Sequence, residues 1–229
     1  MLGGMPPRPA PAHLASAPAE DGPVLGRRER AKADKQARIV AAARALLLAK
    51  GYDAMTMAEV ARDADVAIGT VFQYAATKPE LLMLVVAREW GETAFGRTSS
   101  VAATTRPATG AEETPRETAE AAIREVLEPF ARVARERPEL SVAAAREVIF
   151  GAPGPHRDEV LALVDRVEQA VAGVIEAAGG AARAGAAARL VVSGWLMELN
   201  RTRTGRAGRD DIDARLSELI AIAVRGARP

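Results

Sequence analysis

The sequence predicts an all-α protein: a three-helix head followed by a body of about six helices. Three observations point there. Alanine, the strongest helix former, dominates a chain that is 48% apolar and only 3% aromatic, while alternating β-branched runs are scarce. Apolar residues recur at helical spacing through most of the length. Clusters of Pro, Gly and Thr cut the chain into helix-sized pieces. With 229 residues there is material for one or two domains and a sizeable core.

Composition also excludes several classes. There is no cysteine, so disulfides and thiolate metal sites are ruled out and a reducing compartment fits. No apolar run approaches the roughly 18 residues of a membrane span. The N-terminus has proline from Pro6 onward and lacks the apolar stretch of a signal peptide. A soluble, cytoplasmic protein is expected. His156 is the one histidine outside the leader, and its position at a helix start suits a surface or capping role. Neither metal-ligand spacing nor paired catalytic carboxylates occur, so no enzyme, cofactor or metal is expected.

The elements follow in order. Residues 1–26 are rich in Pro, Ala and Gly without periodicity and are expected to form a disordered leader, with Met5 an equally plausible start. A basic arm follows, with Arg27, Arg28, Arg30, Lys32, Lys35 and Arg38. The first helix is expected over about 31–50, with Ile39, Ala43, Leu46 and Leu47 on one face and Gly51 as its stop. The second opens at Thr56, where Thr56 and Glu59 make a capping box and Met55 can staple onto Val60. Asp65, Val66 and Ala67 form a turn, and a short helix spans 68–74. Thr77 and Glu80 spell another capping box, opening a long helix to about residue 95 with Pro79 in its first turn.

A Thr-, Gly- and Pro-rich gap over 97–114 comes next. Thr114, Pro115 and Glu117 start a helix to about 135, kinked at Pro129. Pro138 opens a helix to Phe150, and residues 151–155 break it. Further helices are expected over about 156–178, ending at Gly179 and Gly180, then 182–203 and 211–225. The domains are therefore set at 1–26 (leader), 27–78 (head) and 79–229 (body).

Charge is unevenly spread. Residues 27–78 hold ten Lys/Arg against six Asp/Glu, whereas residues 79–229 hold 20 against 22. All four lysines, Lys32, Lys35, Lys50 and Lys78, lie in the first segment. Concentrated positive charge on a short module suits a polyanionic partner.

Residues 56–82 read as helix, tight turn, helix and the start of a third helix. That is the layout of a helix-turn-helix, whose second helix enters a DNA major groove. Val60, Ala61, Ala64, Val66 and Val71 form its buried set, the two alanines permitting a close crossing. Gly69 lets a phosphate approach a helix N-terminus. Thr70 and Gln73 point outward; Gln can pair with an adenine edge, and Thr with a phosphate or a thymine methyl. Thr56, Tyr74 and Lys78 are of types that suit phosphate contacts. Arg28 and Lys32 of the arm can reach a phosphate or the minor groove.

Thr56, Ala61, Ala64, Val66, Gly69, Thr70, Phe72, Tyr74, Lys78, Leu81 and Leu82 resemble the signature of the TetR family of transcriptional regulators. The resemblance covers about residues 31–82 and implies a three-helix DNA-binding head and a ligand-binding, dimerising body. It implies a homodimer on a palindromic DNA operator, most often a repressor released by a small effector. Ala67 and Phe72 fall at positions that touch DNA in the family. The sequence departs from the pattern at Asp65, where Gly is usual, at Ala67, where a Ser or Thr cap is usual, and at Ala75 and Phe72, where Phe and Tyr are common.

In the body, Trp90, Phe95, Phe130, Val133, Phe150 and Trp195 are candidates to line an apolar cavity for a mainly apolar effector. Glu147 is a weaker candidate for a polar contact there. The run Arg201, Arg203, Arg206 and Arg209 reads as a solvated loop. Leu190, Val191, Trp195, Leu199, Leu216, Leu219, Ile220 and Ala223 form stripes assigned to a dimer interface, a four-helix bundle across a two-fold axis. The alternative is a helical interaction or small-molecule-binding protein that has lost operator binding.

Overall fold

Residues Leu81, Leu82, Met83, Leu84, Val85, Val86 and Ala87 are apolar on every side of a helix, and such a helix must be surrounded. All seven are buried, in helix α4 (Lys78–Trp90). The rest of the fold is arranged around this segment. The computed structural model describes residues 26–91, 114–203 and 211–227. Within them the chain is helical, with no strand. Residues 1–25 of the leader, residues 97–113 of the gap, Phe95, Arg206 and Arg209 lie outside the described residues.

The head comprises α1 (Arg27–Ala54), α2 (Met57–Asp63) and α3 (Ile68–Tyr74). Helix α1 begins four residues earlier than the sequence suggests, so the basic arm is the helix's own first turns. Glu29 in the first turn favours this start through the helix dipole. Regular helix stops at Gly51, whose φ of 77° a side chain would resist. Thr56 and Glu59 form the expected reciprocal capping box on α2. Asp65 takes the left-handed conformation at φ 51°, so aspartate serves where glycine would be usual.

One cap differs from expectation. The Thr77 hydroxyl accepts the Glu80 N–H of α4, but the Glu80 carboxylate does not complete the box. It accepts the backbone N–H of His156 at 3.1 Å instead, because the body packs against that end of the helix.

The body adds α5 (Pro115–Glu136), α6 (Pro138–Phe150), α7 (Pro155–Ile175), α8 (Ala184–Arg203) and α9 (Ile212–Ala227). Thr114 and Glu117 cap α5 reciprocally, and α5 runs unbroken past Pro129. A wide turn and a tight turn over 176–183 connect α7 to α8, with Gly179 at φ 92°. Helix α4 packs on α1, α6 and α7; α8 lies between α7 and α9, and α9 rests on α5. A β-carbon on Gly194 would sit 3.1 Å from Leu219, so glycine is what lets α8 and α9 approach closely. One continuous core, from Ile39 in α1 to Ala227 in α9, joins head to body.

Candidate nucleic-acid interface and body cavity

Helices α2 and α3 bury Val60, Ala61, Ala64 and Val71, and Ala75 closes the far end of α3 at 2% exposure. The smaller side chain at position 75 therefore leaves the base of α3 packed. Ala67 stands at the N-cap of α3 and provides no side-chain hydrogen bond, as its methyl group dictates. Gly69 faces open space.

The outward face of α3 carries Ile68, Gly69, Phe72 and Gln73, all exposed, with Thr70 half-buried at its flank. Ile68 is a further exposed residue of this face, 48% exposed, that the sequence pattern alone does not mark. Its exposure becomes legible only once Val71 and Ala75 are seen to fill the inner face. Arg28, Lys32 and Lys35 are exposed on the early turns of α1 at spacings of four and three residues, one face of that helix.

Three expected phosphate donors are engaged within the protein. The Thr56 hydroxyl donates to Glu59 at 2.7 Å. The Tyr74 hydroxyl donates to the Lys32 carbonyl at 2.9 Å, fastening the end of α3 to α1. Lys78 donates to the Asp53 carbonyl at 2.9 Å and stands 4.7 Å above the Tyr52 ring. Of these, only the lysine keeps further N–H donors for an anion. The hydrogen bonds from Lys50 and Thr56 hold the Glu59 carboxylate down to about 2.

Head and body meet along a polar seam. Glu89 of α4, nearly buried, binds Arg44 of α1 at 2.9 Å and Arg137 between α5 and α6 at 2.8 Å. His156, at the start of α7, is buried, and its Nε2 lies 2.6 Å from the Tyr74 carbonyl at the end of α3. This is no surface histidine: α7 begins against the head because Gly154 leaves room for the Glu80 side chain, where a β-carbon would collide. Glu147 is also buried, not exposed, and pairs with Arg146 beside Tyr52. Burial and the Glu147 charge raise the Tyr52 pKa. Nothing in the sequence signals these contacts, since they join residues far apart along it.

Beyond the seam lies an apolar cavity of about 40 Å³, lined by Trp90, Phe130, Val133, Ser141, Val192 and Trp195 among others. Trp90 and Phe130 meet edge to face at 5.1 Å. Four of the six residues expected around a cavity are thus brought together. Phe150 is not among them: it is 68% exposed at the end of α6, where the chain turns away. Phe95 lies outside the described residues.

The residues expected at a dimer interface divide. Val191, Trp195, Leu199, Leu216, Ile220 and Ala223, expected at a dimer interface, are buried inside the single chain. Each helix has an inner stripe against α5, α6 or α7 and a separate outer one. The outer one holds Leu190 and Met197 on α8 and Ile222 on α9, all exposed, with Leu219 partly so. Among the described residues no acidic or histidine cluster suits a metal ion, and no helix is long and apolar enough to cross a membrane.

Two short helices joined by a left-handed turn, the second presenting its outer face beside a cationic helix, define a helix-turn-helix DNA-binding module. Residues 39–84 match the family described as bacterial regulatory proteins, tetR family. Through this module the chain is similar to the TetR family of transcriptional regulators. It is 42% identical over 60 residues to the HTH-type transcriptional repressor KstR of Rhodococcus jostii (strain RHA1), a match covering 26% of this chain and 28% of that protein. The chain thus spans well under two thirds of that relative. The whole fold is similar to a TetR transcriptional regulator from Rhodococcus sp. RHA1 (TM-score 0.58, 21% identity, 84% of this chain and 97% of that one). It is also similar to FadR of Thermus thermophilus, a TetR-family repressor in complex with lauroyl-CoA (TM-score 0.57, 16% identity, 84% and 92%).

Proposed function

We propose that this protein is a ligand-responsive repressor that binds a palindromic operator as a homodimer in the cytoplasm. The supporting observation is the double role of α4. It follows α3 after a three-residue link and packs on α1 of the head, and its last turn, at Trp90, forms a wall of the body cavity. A molecule entering the cavity therefore acts on the element that seats the DNA-reading head. Glu89, adjacent to Trp90 in sequence, holds Arg44 on the head side and Arg137 on the body side, so displacing this turn strains both pairs.

Gln73 and Thr70 are the proposed base- and backbone-contacting residues, with Arg28, Lys32 and Lys78 on phosphates. The effector is proposed to be mainly apolar, matching the lining of Trp, Phe, Val and Leu. The lauroyl-CoA bound by the Thermus relative makes an acyl-CoA the first candidate. At about 40 Å³ the cavity is far below the roughly 300 Å³ and more of ligand pockets, so binding has to part the helices.

The test is fluorescence anisotropy of a duplex selected from a random pool, titrated with lauroyl-CoA. The expected outcome is tight binding of an inverted repeat and its release by the thioester. Saturating thioester that binds the protein without changing operator affinity would count against a ligand-responsive repressor. A competing reading, a ligand-binding protein without operator affinity, draws on the uncapped Ala67 and the engaged Thr56 and Tyr74 hydroxyls. It predicts that no duplex is enriched.

A further inference from the structure

The outward face of α3 has an unusual make-up for a surface helix. Ile68 is 48% exposed and Phe72 46% exposed, with exposed Gln73 beside them. Ile68 and Phe72 are one helical turn apart and lie one above the other. Neither is needed inside, because Val71 and Ala75 already close the inner face. The adjoining α1 presents Arg28, Lys32 and Lys35, and residues 27–78 hold ten Lys/Arg against six Asp/Glu. The partner of this face is therefore a polyanion that also offers apolar groups. In a DNA major groove the apolar group displayed is the thymine 5-methyl. Lys or Arg at these two positions would seek guanine; an isoleucine and a phenylalanine cannot.

We infer that Ile68 and Phe72 read thymine methyl groups flanking the base contacted by Gln73, so that each half-site contains thymines at two nearby positions. The two side chains are about 6 Å apart along the helix axis, close to two base-pair steps. The inference rests on the operator-binding reading above and narrows it by naming the base type.

The experiment starts from the inverted repeat selected by the full chain. It is resynthesised with deoxyuridine in place of one thymidine at a time, which removes a methyl and preserves base pairing. The wild-type protein should lose about three- to fivefold in affinity at two positions per half-site and nothing elsewhere. Ile68→Ala should erase the sensitivity at one of these positions, and Phe72→Ala at the other. Both sites are exposed, and circular dichroism with a thermal melt verifies that each variant folds. Gln73→Ala should keep both sensitivities while binding more weakly. Equal affinity for thymine and uracil at every position overturns the inference and leaves DNA binding intact. So does methyl sensitivity that survives both alanine variants. Failure to enrich any duplex at low salt overturns the operator reading and this inference together.

Discussion

Single side chains in the head decide how firmly its two short helices are held. Thr56 satisfies an N–H of α2 and orders Glu59. Thr56→Ala should therefore cost about 1 kcal/mol, read as a lower midpoint in chemical denaturation. Glu59, drawn from an ordinary 4.5 down to about 2, makes that contribution pH-dependent. Its folded pKa lies below the unfolded one, so the stabilisation is complete above the unfolded value and fades as pH falls toward the folded one. Stability measured across this acid window should fall more steeply for the wild type than for Glu59→Gln; parallel curves would contradict the assignment. Ala67 offers the opposite case. Ala67→Ser restores the missing cap of α3 and should raise stability by about 0.5–1 kcal/mol in a thermal melt. Gln73→Ala, at an exposed position, should leave stability unchanged. It should weaken the selected operator far more than random DNA, and equal losses on both would remove its proposed base contact.

At the level of elements, caps and apolar runs were legible because they are local. Thr56 with Glu59, Thr114 with Glu117 and the apolar run of α4 fix helices from neighbours a few residues away. The head's two-helix motif was legible for the same reason. What escaped were junctions between elements. Glu80 left its expected capping box for His156, and Glu147 became buried against the head, through packing of segments roughly 70 to 100 residues apart in sequence. The cavity was half legible: aromatic residues marked its walls, while the direction of Phe150 depended on where α6 ends. Glu89 is the junction with the clearest consequence. Glu89→Gln keeps the size and loses the charge shared by Arg44 and Arg137. Because Arg44 is half exposed, a loss of only about 1–2 kcal/mol is expected. The same variant should need less effector for operator release in the anisotropy titration, and an unchanged titration would disconnect this seam from the response.

For the whole molecule, the outer stripe of α8 and α9 is the proposed meeting surface of two chains. Leu190→Glu with Met197→Glu adds charge to exposed positions and leaves the inner stripe untouched. Light scattering should show a monomer, and tight binding to the inverted repeat should be lost, since one head spans only one half-site. A dimer that persists would place the interface elsewhere. The smallness of the resting cavity has a consequence for the cell. A protein whose ligand-ready form is scarce answers to a set point rather than to a trace of its signal. If that form makes up about 1% of molecules, the apparent affinity is about a hundredfold weaker than the intrinsic one. Repression would then be the default, relieved only when the signal accumulates, and the packing around Val192 and Trp195 would hold the dial. Val192→Ala, by hollowing that wall, should turn the response on at a lower dose.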